Sequence, residues 1–184
     1  IAAVVLILIF RKKLSGINRK TIVRGCIIGL TLYFGMGLQV FGLYFTTATN
    51  SAFITGLNFV FVPIISAILL KKRPSPLMWT GVAVAALGLF SMTGGVDSSF
   101  NSGDFLTLLN AMCWAVQIII IDKYTEDSDG AQLGVVQVSF TALLFLSTWF
   151  VMSFFTDSAP LPLDSPYVWG VLLWTGLGGT AFAF

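Results

Sequence analysis

The chain has 184 residues, 57% of them hydrophobic and 10% charged, with a mean hydropathy of +0.92. Soluble domains carry about 25% charged residues, so an ordinary soluble globule, a disordered tail and a collagen-like repeat are excluded. Ten Lys and Arg against eight Asp and Glu leave a net charge of +2, too small and too scattered for a nucleic-acid surface.

In chain order, the apolar stub 1–10 is too short to cross a bilayer, and five longer apolar segments follow at 25–45, 48–70, 77–95, 105–121 and 133–155. Each can span about 30 Å of hydrocarbon. None shows the polar and apolar alternation of a barrel strand, so all five read as transmembrane helices of an all-α, polytopic bundle. Residues 168–184 are still apolar where the sequence stops. With no initiator Met, no basic leader and no cleavage site, the sequence reads as a piece of a longer membrane protein.

Charge falls between these segments, in loops 11–24, 46–47, 71–76, 96–104, 122–132 and 156–167. If all five segments cross, the first, third and fifth loops share a side and hold every basic residue: Arg11, Lys12, Lys13, Arg19, Lys20, Arg24, Lys71, Lys72, Arg73 and Lys123. The other side carries only Asp97, Asp104, Asp157 and Asp164. Basic residues in short loops resist translocation, which makes the Lys/Arg side cytoplasmic. Arg11, Lys12, Lys13, Lys71, Lys72 and Arg73 are thus topology determinants that also meet anionic head groups. Binding of a charged cytoplasmic ligand is the alternative reading of these clusters.

The fourteen residues 11–24 lead into Gly25, Gly29 and Gly35, and the fourteen residues 156–169 lead into Gly170, Gly176 and Gly178. The first stretch has six basic residues and the second none, as expected of equivalent positions facing opposite sides in an inverted repeat. The run Tyr44-Phe-Thr-Thr-Ala-Thr-Asn-Ser-Ala-Phe-Ile-Thr-Gly-Leu-Asn58, then Phe61-Val-Pro63, Leu69-Leu70, Arg73-Pro74-Ser75 and Trp79-Thr-Gly81 with Gly88, resembles the EamA-like branch of the drug/metabolite transporter superfamily. Lys71-Lys72 stand where many members have Gly-Glu. The resemblance implies ten helices in two inverted five-helix repeats. Residues 1–95 would be the end of helix 2 through helix 5, 96–104 a non-cytoplasmic linker, and 105–184 helices 6 to 8. It also implies export, a bacterial inner-membrane location and a peripheral fifth helix in each repeat.

With no charge inside the spans, polar side chains are the candidates for recognition. Ser51, Thr55, Asn58, Val62 and Ser66 fall on one helix face, with Phe53, Val60, Ile64 and Ile68 opposite. Pro63 cannot donate to Phe59, which predicts a bend one turn beyond Asn58 and a free carbonyl. The preceding helix aligns Thr31, Gly35, Gln39 and Gly42. Later helices align Asn110, Cys113, Trp114 and Gln117, and then Gln137, Thr141, Leu144 and Thr148. Segment 77–95, with Gly81, Ala85 and Gly88, reads as a scaffold. Gln39, Thr55, Asn58, Asn110, Trp114, Gln117 and Gln137 are therefore the cavity candidates. The competing reading is that they glue helices together, that Trp114 fills a seam or interface, and that the glycines are packing points.

Histidine is absent, and Cys26 and Cys113 lie far apart in apolar runs. No metal site, disulfide framework or cofactor is therefore expected. An intramembrane enzyme lacks acid and base groups in these spans, so the protein is read as no enzyme. It is read instead as a secondary exporter of a small neutral or zwitterionic, amino-acid-like metabolite, working by alternating access. A channel-like facilitator and a structural or partner-binding membrane protein are the alternatives. Expected partners are membrane lipid and a small-molecule substrate, without nucleic acid; a homodimer is left open. In a background lacking Cys26 and Cys113, single cysteines replacing Ser15 and Ser99 should react with an impermeant thiol reagent from opposite membrane faces. Labelling from one face would overturn the topology.

Overall fold

The computed structural model describes residues 2–14, 16–71, 74–93, 100–155 and 165–174. The expected roles of Lys72, Arg73, Asp97, Asp157, Asp164, Gly176 and Gly178 fall outside them. Eight helices and no strand occur among the described residues: α1 Ala2–Leu14, α2 Arg19–Leu43, α3 Ala48–Gly56, α4 Asn58–Leu70, α5 Pro76–Thr93, α6 Ser102–Thr125, α7 Gly130–Phe155 and α8 Pro166–Trp174. Spans Arg19–Leu43, Ala48–Leu69, Ser102–Thr125 and Gly130–Phe155 are long and apolar enough to cross a membrane. The apolar part of α5, Pro76–Ser91, is shorter than those four.

Short polar residues set where the helices begin. Asn18 Oδ1 accepts from the Lys20 N–H at 2.9 Å, Thr47 Oγ1 from the Asn50 N–H at 3.2 Å, Ser75 Oγ from the Met78 N–H at 3.2 Å, and Asp129 Oδ1 from the Ala131 N–H at 2.8 Å. Each bond satisfies a donor that a helix start leaves open. Pro76 and Pro166 occupy first helical positions, where a missing N–H does no harm.

The helices run beyond the apolar segments, so Arg19, Lys20 and Arg24 lie on α2, and Asp122 and Lys123 on α6. Residues 11–14 and 19–24 of the first expected loop are thus helical, and of 122–132 only 126–129 lie outside a helix. Backbone hydrogen bonding does not stop at the edge of the hydrocarbon, and long cationic side chains reach out of it. Asp104 is corrected as well. It is no loop charge but the third residue of α6, fully buried. Its Oδ2 accepts from the Asn101 N–H at 3.0 Å while Asn101 Oδ1 accepts from the Asp104 N–H at 2.9 Å, a reciprocal capping box. Its Oδ1 accepts from the Thr46 hydroxyl.

The span from Ala48 is interrupted at Leu57, six residues ahead of Pro63, and α4 carries Pro63 inside it. Leu57 donates to the Ile54 carbonyl at 3.1 Å, and its own carbonyl accepts from Val60 at 2.9 Å and Phe61 at 3.1 Å. The interruption is thus a tight turn that keeps its backbone paired. Beside it, a Cβ on Gly56 would collide with Leu89 of α5. At the far end, Lys71 closes α4 in the left-handed region at φ 53°.

The chain forms two compact units. One draws on the chain up to Leu30 and from Tyr124 onward; the other is Thr31–Lys123. In the first, α1 packs on α7, with Leu6, Val135 and Val138 buried and Ala3, Phe10 and Leu14 against them. The α2 residues of this unit approach α7 closely: a Cβ on Gly29 would stand 2.9 Å from the Gln137 carbonyl, and the Thr141 hydroxyl donates to the Gly29 carbonyl at 2.9 Å. In the second unit, α2 crosses α6 where a Cβ on Gly42 would meet Thr107 Oγ1 at 2.8 Å and the Gly103 carbonyl at 3.1 Å. Helix α5 packs on α3 and α4, with Leu77, Val84 and Leu87 strongly exposed. A Cβ on Gly81 or Gly88 would meet no described atom within 4 Å, so neither packs against another helix among the described residues.

Asp104→Ala should lower stability by about 1–3 kcal/mol, because it strands the Asn101 N–H and the Thr46 hydroxyl. Thermal unfolding in detergent measures this, and an unchanged midpoint would show that the capping box contributes nothing to stability.

Candidate functional site

Within the Thr31–Lys123 unit, the polar faces read from sequence turn inward. Asn110 is 0% exposed and Gln117 3% exposed on α6. Cys113 and Trp114 between them are half-buried, as are Thr31 and Gln39 on α2. Asn110 Nδ2 donates to Thr55 Oγ1 of α3 at 3.3 Å, which ties that span to α6. Asn110 Oδ1, Trp114 Nε1 and Asn58 Oδ1 are buried without a hydrogen-bond partner among the described residues. An orphaned polar atom in a dry interior costs about 1–3 kcal/mol, so such atoms mark places where something else is met.

Two of the three converge. The point where a Cβ on Gly35 would stand lies 3.4 Å from Asn110 Oδ1, 3.5 Å from Cys113 Cβ and 3.9 Å from Trp114 Nε1. One acceptor and one donor thus face the same bare stretch of α2. The spacing of Asn110 and Trp114, one turn apart, was legible in sequence, and so was Gly35 on the polar face of α2. Their meeting was not. Gln39 lies one turn beyond Gly35 on α2, and Asn58 opens α4. Pro63 is fully buried. On the outer face of this span Ile64 and Ile68 are exposed, whereas Phe53 and Val60 are half-buried.

Gln137 belongs to the other unit. It is 2% exposed, with Oε1 buried and unpartnered, as is Ser139 Oγ, a residue whose spacing gave no signal in the sequence. On the same helix Thr141 is buried, while Leu144 and Thr148 are half-buried. In that unit Arg24 lies with its guanidinium carbon 4.9 Å from the Tyr124 ring centroid. It donates to Ser128 Oγ at 2.8 Å and to Asp127 Oδ2 at 3.1 Å, and Lys20 meets the same carboxylate at 3.4 Å. The first and fifth loops therefore adjoin, as Thr46 of the second loop adjoins Asp104 at the start of α6 in the other unit.

Helices with orphaned interior amide and indole atoms, with Asp104 the one fully buried charge among the described residues and already enclosed by Asn101 and Thr46, define a polytopic membrane protein with polar residues turned inward. Residues 1–94 match the model of the EamA-like transporter family. The chain belongs to that family. It is 36% identical over 107 residues to an uncharacterized transporter of Archaeoglobus fulgidus, covering 58% of this chain and 34% of that protein. It is 28% identical over 181 residues to the uncharacterized transporter YyaM of Bacillus subtilis, covering 93% of this chain and 58% of that protein. The matched regions thus span from a third to under two-thirds of these relatives. No solved structure matches the chain.

Hydrogen bonds from Arg24 and then Lys20, reinforced by their charges, hold the Asp127 carboxyl below its ordinary range. A depressed folded pKa means the tie is present above the unfolded value of about 3.9 and is lost as pH falls through the folded value. Protection of the 124–130 amides, taken as the intrinsic exchange rate at each pH divided by the observed rate, should therefore fall as pH drops through the lowered Asp127 value. Asp127→Asn should show the lower protection already at pH 7; equal protection in both proteins would dismiss the tie.

Proposed function

We propose that the whole protein is a secondary transporter rather than an enzyme. It exports a small neutral or zwitterionic metabolite by alternating access, with two inverted repeats rocking about a midplane site. The observation that carries this reading is the pair Asn110 Oδ1 and Trp114 Nε1, buried and unpartnered beside Gly35, with none of the atoms nearest that point charged. Such a site offers a donor and an acceptor to a solute that carries both, and no ion to compensate a net charge. Asn58, Gln39 and Gln117 extend the polar lining along α4, α2 and α6, and Gln137 gives α7 a buried amide in the other unit. Membership of a transporter family supports transport itself. The bacterial inner membrane is the proposed location, with the basic loops cytoplasmic. The adjoining first and fifth loops support a common side for them.

Flux through the full-length protein in proteoliposomes tests the mechanism. Saturable uptake with trans-stimulation is expected, whereas linear conductance would make it a channel. Asn110→Ala and Trp114→Phe, which keeps the ring and removes the donor, should each lower transport roughly tenfold. Unchanged flux in both folded variants would reduce the pair to helix glue.

A further inference from the structure

The glycines of the buried helix faces do not all serve the same purpose. At Gly25, Gly29, Gly42 and Gly103 an added Cβ would stand 2.5 to 2.9 Å from a neighbouring helix or loop, so the absent side chain is what lets the backbones approach. Gly35 is buried too, yet its nearest neighbours to such a carbon are at 3.4, 3.5 and 3.9 Å, which are ordinary contact distances. Alanine fits there and favours a helix by about 1 kcal/mol over glycine. Close packing of α2 on α6 therefore does not require glycine at this position.

What glycine leaves open is access to two polar atoms. The fully buried Asn110 presents Oδ1, an acceptor, and Trp114 presents Nε1–H, a donor, and neither has a partner among the described residues. Asn110 is not free to turn away without breaking its Nδ2 bond to Thr55. Trp114 is half-buried as a residue, but its Nε1 is enclosed, as Asn110 Oδ1 is, so in this arrangement of the helices both polar atoms are shut away together. A methyl at position 35 would touch both polar atoms and screen each from a third group.

We propose that Gly35 is a specificity-determining position. Its missing side chain admits a polar group that donates to Asn110 Oδ1 and accepts from Trp114 Nε1, such as a hydroxyl, a primary amide, or the ammonium and carboxylate of an amino-acid head acting together as donor and acceptor. This deepens the transport reading and rests on it for its physiological meaning. Position 35 is buried here, so the proposal also requires that it become reachable when the helices part to admit a solute, whatever the substrate is.

Two measurements on the full-length protein keep these apart. In a background lacking Cys26 and Cys113, Gly35→Cys should react with aminoethyl methanethiosulfonate, a small amine-bearing thiol reagent, whereas Gly42→Cys, packed against Thr107, should resist it in the folded protein. Gly35→Cys that stays folded and unreactive overturns the proposal. In proteoliposomes, a panel of radiolabelled neutral amino acids and their primary amides is then compared in wild type, Gly35→Ala and Gly35→Val, with Gly37→Val as a control that meets no described atom. Selection among these solutes should change about tenfold or more in the Gly35 variants and not in the control. Unaltered selection would refute the specificity role. Wild-type protein carrying none of the panel while Gly35→Cys is labelled would fault the substrate reading and leave the reachable site standing.

Discussion

In hydrocarbon, an unpaired amide or carboxylate meets no water, and the penalty of several kcal/mol per group governs how a chain this apolar can fold. Helices satisfy the backbone, and polar side chains must then find partners of their own. The Thr141 hydroxyl takes the Gly29 carbonyl, Thr107 takes the Gly103 carbonyl within its own helix, and Asp104 is enclosed by Asn101 and Thr46. Against that background the unpartnered oxygen of Asn110 and nitrogen of Trp114 stand out, both beside a glycine that no neighbouring backbone crowds.

The charged groups do different work at the helix ends. Arg24, packed over Tyr124 and bonded to Ser128 and Asp127, fastens the start of α2 to the segment between α6 and α7. Asp104 fastens the start of α6 to the turn after α2. Both are junctions between elements distant in sequence, and both depend on hydrogen bonds that can be broken and remade.

Exposure divides the helices in a way that fits lipid as solvent. Helix α5 shows Leu77, Val84, Leu87 and Phe90 outward, and α7 shows Leu143, Leu146, Trp149, Phe150 and Phe154. In water such a surface would drive aggregation. Here the same residues face a medium as apolar as themselves. The inward positions of α6 and α7, by contrast, include Thr107, Asn110, Gln117, Gln137 and Thr141.

Composition and periodicity determined the helical, membrane-spanning class and the inward polar faces of α2, α6 and α7, because lipid rewards long apolar runs and leaves little else as an alternative; the family came from the resemblance of the run that starts at Tyr44. Hydropathy cannot locate helix ends, which depend on single capping bonds. For that reason Arg19, Lys20 and Asp104 proved to be helical, and the turn in the third span sits at Leu57 beside Gly56 and Leu89. Nor can spacing within one helix report which residue another helix brings to it. Whether a glycine is crowded by its neighbour, as Gly42 is by Thr107, or stands at ordinary contact distance from Asn110, Cys113 and Trp114, as Gly35 does, is set by the distance between two helices, and only the tertiary structure decided that.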